Sequence, residues 1–261
     1  MTTANVNGIT IGYDDEGTGD DVLVLVHGHP FDRSMWRPQV EHFAGAGWRV
    51  ITADLRGYGE STVVPGITPL PVFADDIAAL LTHLGIDAFV LGGLSMGGQI
   101  VMECARQFPQ RIRGLILADT FAQPETPQGR QIRNDMADRL LREGMSGYAD
   151  EVLWKMVAPH NIAPGEHVAR MMHNAPPEGA AAALRGRAER PDYTAVLGTI
   201  TVPTLVVVGS DDEYTPVEDA KYMHDRVPGS TLVVVDGAAH MPNLERPEEF
   251  NRAVAELLAQ T

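Results

Sequence analysis

The 261-residue sequence holds a single cysteine, Cys104. That excludes an intramolecular disulfide and any cysteine-rich zinc site. It fits a reducing compartment, and the expected location is the cytoplasm. Bases are scarce: 20 Lys and Arg stand against 35 Asp and Glu, a net charge of −15. Such a chain repels phosphate backbones, so nucleic acid is not an expected partner. No apolar run approaches the ~20 residues that span a bilayer. The opening MTTANVNGIT has neither the basic nor the apolar region of a signal peptide, and a membrane is not an expected partner either. The sequence has no internal repeat, no low-complexity tract and no Gly-Lys-Ser/Thr of a phosphate loop. It carries no signal of oligomeric state.

What is present is a rhythm. Apolar, β-rich runs occur at 22–28, 48–54, 88–95, 114–120, 204–210 and 231–237. They are continuous rather than alternating, which marks strands covered on both faces, as in a parallel sheet. Helical patterns fall between them, at roughly 72–84, 96–108, 216–227 and 247–259. Strand–helix alternation predicts right-handed crossovers and an α/β, doubly wound, mostly parallel sheet. The first 20 or so residues differ, and the Asn7-Gly8 pair predicts a hairpin that adds an antiparallel edge. Residues 120–192 break the rhythm with no strand, and they predict a helical insertion of three or four helices. The core is then 1–119 with 193–261, and the insertion is a cap. Five methionines (Met136, Met145, Met156, Met171, Met172) and Trp154 lie in the insertion. Most of these are expected to pack it onto the core. Trp154, Met136 and Met156 are the candidates for lining a substrate pocket, where methionine adapts to apolar ligands.

In an open parallel sheet, ligands bind at the carboxyl ends of the strands. After the run at 88–92 comes GLSMGG, residues 93–98, opening directly into a helix. This is G-x-S-x-G in the strand–turn–helix setting the motif requires, and Ser95 is the candidate nucleophile. The motif arises by chance often enough that the placement carries the weight. A serine nucleophile needs a base, and the base needs an orienting acid. His240 follows the last strand through a short Gly-rich loop and is the candidate base. Of the other histidines, His42, His83 and His224 fall in flanking helices and His160, His167 and His173 in the insertion, all expected to be structural. Three acids end strands where they could meet His240: Asp211 and Asp212 after 204–210, and Asp119 before the insertion.

The stretches HGHP (27–30), DLRGYGES (54–61), GLSMGG (93–98), GSDDEYTP (209–216) and GAAHMPNLERPEEF (237–250) together resemble the α/β-hydrolase superfamily over nearly the whole chain. The similar members are small esterases, enol-lactonases and cofactor-free perhydrolases. The resemblance implies an eight-stranded α/β-hydrolase fold with a helical cap. It selects Asp212 as the acid, leaves Asp211 to a turn, and keeps Asp119 as the alternative acid used by some relatives. It assigns the oxyanion donors to the backbone N–H groups of Met96 and His29. Those donors, with Ser95, His240 and Asp212, imply a serine hydrolase that cleaves a small carboxylic ester or lactone through an acyl-enzyme. No cofactor and no metal are implied. On the same scaffold the alternatives are a perhydrolase, a carbon–carbon hydrolase or lyase, and a ligand receptor with slow turnover. Serine at the nucleophile position argues against an epoxide hydrolase or dehalogenase, which use Asp there.

His27 and His29 by themselves suggest a metal pair, but no second His-x-His and no spare carboxylate accompanies them at the strand ends. His27 is instead expected to brace the oxyanion loop, with Gly28 allowing that loop close to the nucleophile. The role of the His29 side chain is left open. DLRGYGES is expected to be structural, Cys104 to be packing, and most of the cap arginines (Arg130, Arg133, Arg139, Arg142) to face solvent.

Overall fold

The computed structural model describes residues 2–261. Eight strands form one sheet: β1 (Thr2–Val6), β2 (Ile9–Glu16), β3 (Val22–Val26), β4 (Arg49–Ala53), β5 (Phe89–Leu94), β6 (Ile112–Ala118), β7 (Thr204–Gly209) and β8 (Thr231–Val235). Their order is β1-β2-β4-β3-β5-β6-β7-β8. The six strands from β4 to β8 in that order run parallel. β1 and β2 add an antiparallel edge, turned at Asn7 and Gly8, both of which have positive φ. Two consecutive positive φ values make the turn whose twist matches a hairpin.

The helices are α1 (Arg37–Gly45), α2 (Leu70–His83), α3 (Met96–Gln107), α4 (Pro127–Glu143), α5 (Ser146–Met156), α6 (Ile162–Asn174), α7 (Pro177–Ala188), α8 (Thr194–Leu197), α9 (Val217–His224), α10 (Pro242–Glu245) and α11 (Pro247–Leu258). Every residue of β3, β5 and β7 is buried, because helices cover both faces. β3 divides its side chains between two cores. Val22, Val24 and Val26 meet Phe73, Ile77 and Leu81 of α2, and Leu23 and Leu25 meet Val40 and Phe43 of α1 and Val254 of α11. Strict two-residue alternation of direction along a strand makes that split.

α4 to α7 stand between β6 and β7 as the helical cap, α4 pairing with α7 and α5 with α6. α7 docks closely against the body. A Cβ at Gly186 would lie 1.7 Å from the Thr68 carbonyl oxygen, and one at Gly179 would lie 1.8 Å from that of Gly57. Only glycine permits these approaches, and they fix where the next residue, Arg187, enters the interior. No helix among the described residues is long and apolar enough to cross a membrane.

Candidate active site

The parallel strands deliver their chemistry at their carboxyl ends. Ser95 follows β5 with φ 58° and ψ −117°, a conformation that costs energy for any residue with a Cβ. Ser95 N–H donates to Ala118 O at 2.9 Å, and the Ser95 carbonyl accepts from the Thr120 hydroxyl at 2.7 Å. These bonds hold the turn from both sides. The turn is tight enough that a Cβ at Gly93 would lie 2.4 Å from the Gly97 carbonyl carbon. Met96 then begins α3, so its N–H has no intrahelical acceptor and points toward the turn.

His240 follows β8 and Asp212 follows β7. His240 Nδ1 meets Asp212 Oδ2 at 2.7 Å, and both residues are buried. Asp212 Oδ1 accepts from the N–H groups of Tyr214 (2.8 Å) and Thr215 (3.2 Å), and Oδ2 also accepts from the Thr215 hydroxyl. Burial alone would raise the Asp212 carboxyl. The His240 ring, the Thr215 hydroxyl and the Tyr214 N–H outweigh it and hold the group below the usual carboxylate range. The His240 N–H donates to Met156 O at 3.1 Å, tying the loop to the end of α5. Glu245 fastens the same loop. Its Oε1 accepts from the N–H groups of Ala239 (2.9 Å) and Met241 (3.2 Å), and its Oε2 from Ala158 N–H (2.9 Å) and the Asn161 amide (2.7 Å).

Asp119 lies behind this pair, at φ 44° and 1 % exposure. Its Oδ1 accepts from Gly209 N–H at 2.9 Å, whereas Oδ2 has no hydrogen-bond partner. Burial first, then the Asp212 charge, push its carboxyl well above the usual range. Among the described residues, Asp119, Asp212 and His240 are the one set of three His, Cys, Asp or Glu side chains close enough to share a cation. Asp212 Oδ2 is already engaged by a hydroxyl and an imidazole, so the set has the chemistry of a hydrogen-bonded relay rather than of a metal cage.

His27 and His29 separate by what their rings touch. His27 Nδ1 donates to Gly28 O at 2.8 Å, and its Nε2 accepts from Leu55 N–H at 2.8 Å. It braces the loop after β3 against the chain after β4. A Cβ at Gly28 would lie 2.9 Å from Leu94 O, so this loop passes directly beside the Ser95 turn. His29 Nδ1 meets the Tyr58 hydroxyl at 2.7 Å and its Nε2 is buried with no partner. In DLRGYGES, Asp54 accepts from Arg33 and Glu60 N–H and pairs with the Arg33 guanidinium, which holds a loop and leaves no free group. Burial raises the Cys104 thiol well above its ordinary range, so it is inert.

Ser95, His240 and His29 line one cavity of about 120 Å³, roofed by Tyr148 and Met156 of α5, Leu184 and Arg187 of α7 and Arg133 of α4. Of the three pocket candidates, Met156 lines it. Met136 lies in an adjoining cleft with Tyr148 and Leu184. Trp154 is a correction: it is 45 % exposed, its ring against Gly165 of α6, because it sits on the side of α5 opposite buried Val152 and Met156. The cap arginines also divide. Arg130 and Arg142 face solvent, but Arg133 is held inward by Glu125. Arg187, Tyr148, Thr215 and Glu245 are not among the sequence candidates. Thr215, three residues after Asp212, and Arg187, at the end of a run of small residues, carry local signals; Tyr148 and Glu245 carry none.

A model described as alpha/beta hydrolase family matches residues 23–253. The chain belongs to this family. A thermophilic esterase from Thermogutta terrifontis, solved with malate bound, superposes on this α/β hydrolase with a TM-score of 0.95 at 40 % identity, covering 100 % of this chain and 99 % of that one. The enol-lactonase from Burkholderia xenovorans LB400 gives 0.91 at 26 %, covering 99 % and 100 %. In sequence, 3-oxoadipate enol-lactonase 2 of Acinetobacter baylyi is 30 % identical over 257 residues, 97 % of this chain and 94 % of that protein.

Proposed function

We propose that the chain is a serine hydrolase that cleaves small carboxylic esters or lactones through an acyl-enzyme, with Ser95, His240 and Asp212 as the triad. The observation that carries this reading is the strained Ser95 turn opening on the same cavity as a His240 imidazole held at 2.7 Å by Asp212. Esterase and enol-lactonase relatives over the full chain length support it. In this reading His240 Nε2 takes the Ser95 proton as Oγ attacks the carbonyl carbon, and Asp212 stabilises the imidazolium that forms. The oxyanion is met by Met96 N–H at the start of α3 and by His29 N–H in the braced loop, each such donor worth about 3 kcal/mol in the transition state. The same imidazolium protonates the leaving alkoxide. Water, deprotonated by His240, then releases the acid.

The small cavity favours short acyl groups, since drug-sized ligands occupy roughly 300–1,000 Å³. The test is burst acylation with p-nitrophenyl acetate, read for wild type and Ser95→Ala. The variant should show no burst and no Ser95-linked turnover. Wild-type turnover in Ser95→Ala would sink the assignment.

A further inference from the structure

Arg187 is 7 % exposed and lines the catalytic cavity. Its Nε donates to Gln99 Oε1 at 3.1 Å, a neutral acceptor. No carboxylate among the described residues pairs with it. Its neighbours add charge of the same sign: Arg133 and Arg190 stand close enough to depress it further after burial has done so. Arg133 and Arg190 both turn to Glu125, and Arg190 also spends its nitrogens on Gln123 O. Arg133 also lines the cavity but is paired with Glu125, so Arg187 is the guanidinium there without a carboxylate. An unpaired buried charge is costly to a fold unless a ligand supplies its counterion.

A second polar atom at the cavity is also without a partner. The Tyr58 hydroxyl has His29 Nδ1 as its one acceptor among the described residues, at 2.7 Å. It therefore donates to Nδ1, which leaves the proton on Nε2. That N–H is buried, unpartnered, and belongs to a residue lining the same cavity. Phe121, Leu184 and Met156 supply the cavity's apolar walls, and Arg133, Tyr148, Tyr214 and Thr215 its other polar ones. One uncompensated guanidinium and one imidazole N–H form a donor set for a single planar monoanion. The guanidinium fork matches a carboxylate in shape and charge.

We propose that Arg187, assisted by His29 Nε2–H, is a carboxylate subsite, and that the substrates are small esters or lactones carrying a free carboxylate, such as half-esters of short dicarboxylic acids. The proposal rests on the serine-hydrolase reading for its reaction, but its binding half stands apart from turnover.

The experiment has two arms on the full chain. In the first, kcat/KM is measured for monomethyl succinate and dimethyl succinate with wild type, Arg187→Met and Arg187→Lys. Wild type should prefer the half-ester by roughly tenfold or more, and Arg187→Met should lose that preference, with Arg187→Lys between them. In the second, calorimetry compares succinate with neutral succinamide. Succinate should bind at least about tenfold tighter to wild type, and the difference should vanish in Arg187→Met. Preference for the diester, or equal binding of succinate and succinamide to wild type, overturns the subsite, and neither result needs a variant to fold. Ser95-dependent turnover of p-nitrophenyl acetate with no anion preference leaves the hydrolase reading standing alone. Arg187-dependent succinate binding without Ser95-dependent turnover of any ester does the reverse.

Discussion

Glu245→Gln should damage both stability and catalysis, although Glu245 does not line the catalytic cavity. The carboxylate is 5 % exposed and each oxygen accepts two donors. Oε1 holds the backbone on either side of His240, and Oε2 holds the cap at Ala158 and Asn161. Glutamine has the same shape but only one acceptor oxygen. In either orientation its NH₂ faces two N–H donors, so two charge-assisted bonds are lost and two buried donors are left unpaired. At about 1.5–3 kcal/mol per bond to a charged group, the loss is at least about 3 kcal/mol. For a chain of this size that lowers the melting temperature by roughly 6–12 °C. The His240 loop is also freed at one end, and a displacement of about 1 Å of a catalytic group costs roughly 100-fold in rate. Urea unfolding and kcat/KM on p-nitrophenyl acetate measure the two effects. A variant within about 0.5 kcal/mol of wild type, the scatter of surface changes, and of equal activity would refute the clamp.

Four further substitutions probe the site and the helix that covers it. Asp212→Asn should cost about 10⁴ in kcat by presenting the wrong imidazole tautomer. Asp119→Asn, which keeps an acceptor for Gly209 N–H, should stay within roughly tenfold of wild type; the opposite ranking in steady-state assays makes Asp119 the acid. His29→Phe should flatten part of the acid side of the stability profile. Burial first, then Arg187, Arg133 and His27, hold the His29 ring well below its ordinary 6.5. Its contribution is therefore present above that value and lost as pH falls toward the folded one, at up to about 1.4 kcal/mol per pH unit. Urea midpoints across that window check this, and an unchanged slope in the variant refutes it. Gly186→Ala should destabilise by about 1–3 kcal/mol, since its Cβ would lie 1.7 Å from Thr68 O; thermal melts that match wild type would refute the close docking of α7.

The fold was legible because its signals are local. A continuous run such as VLVLV is covered on both faces wherever it sits, and Asn7-Gly8 makes its own turn. Helix ends were less legible. α9 stops at His224, three residues short of the patterned stretch. The break between α10 and α11 comes from Pro247, which pushes Arg246 out of helical φ and ψ.

The site divides along the same line, and the division has a physical cause. Ser95, Asp212 and His240 each end a strand, so the topology that the sequence announces also brings them together. Trp154 and Arg187 belong to the cap, where apolar periodicity alone does not say which side of a helix faces the cavity. Both are amphipathic side chains, and the apolar one was the natural candidate for an interior position. The structure reverses the two because Trp154 lies on the outer side of α5, whereas α7 brings Arg187 inward where Gly179 and Gly186 press against the body. Its small residues allow backbone-to-backbone contact, and a long side chain at the end of such a stretch has only the cavity to enter. The signal was in EGAAAALRGR all along, as a run of residues too small to pack by side chain. Here, then, the strand ends place Ser95, Asp212 and His240, and the closest-packed cap helix places Arg187.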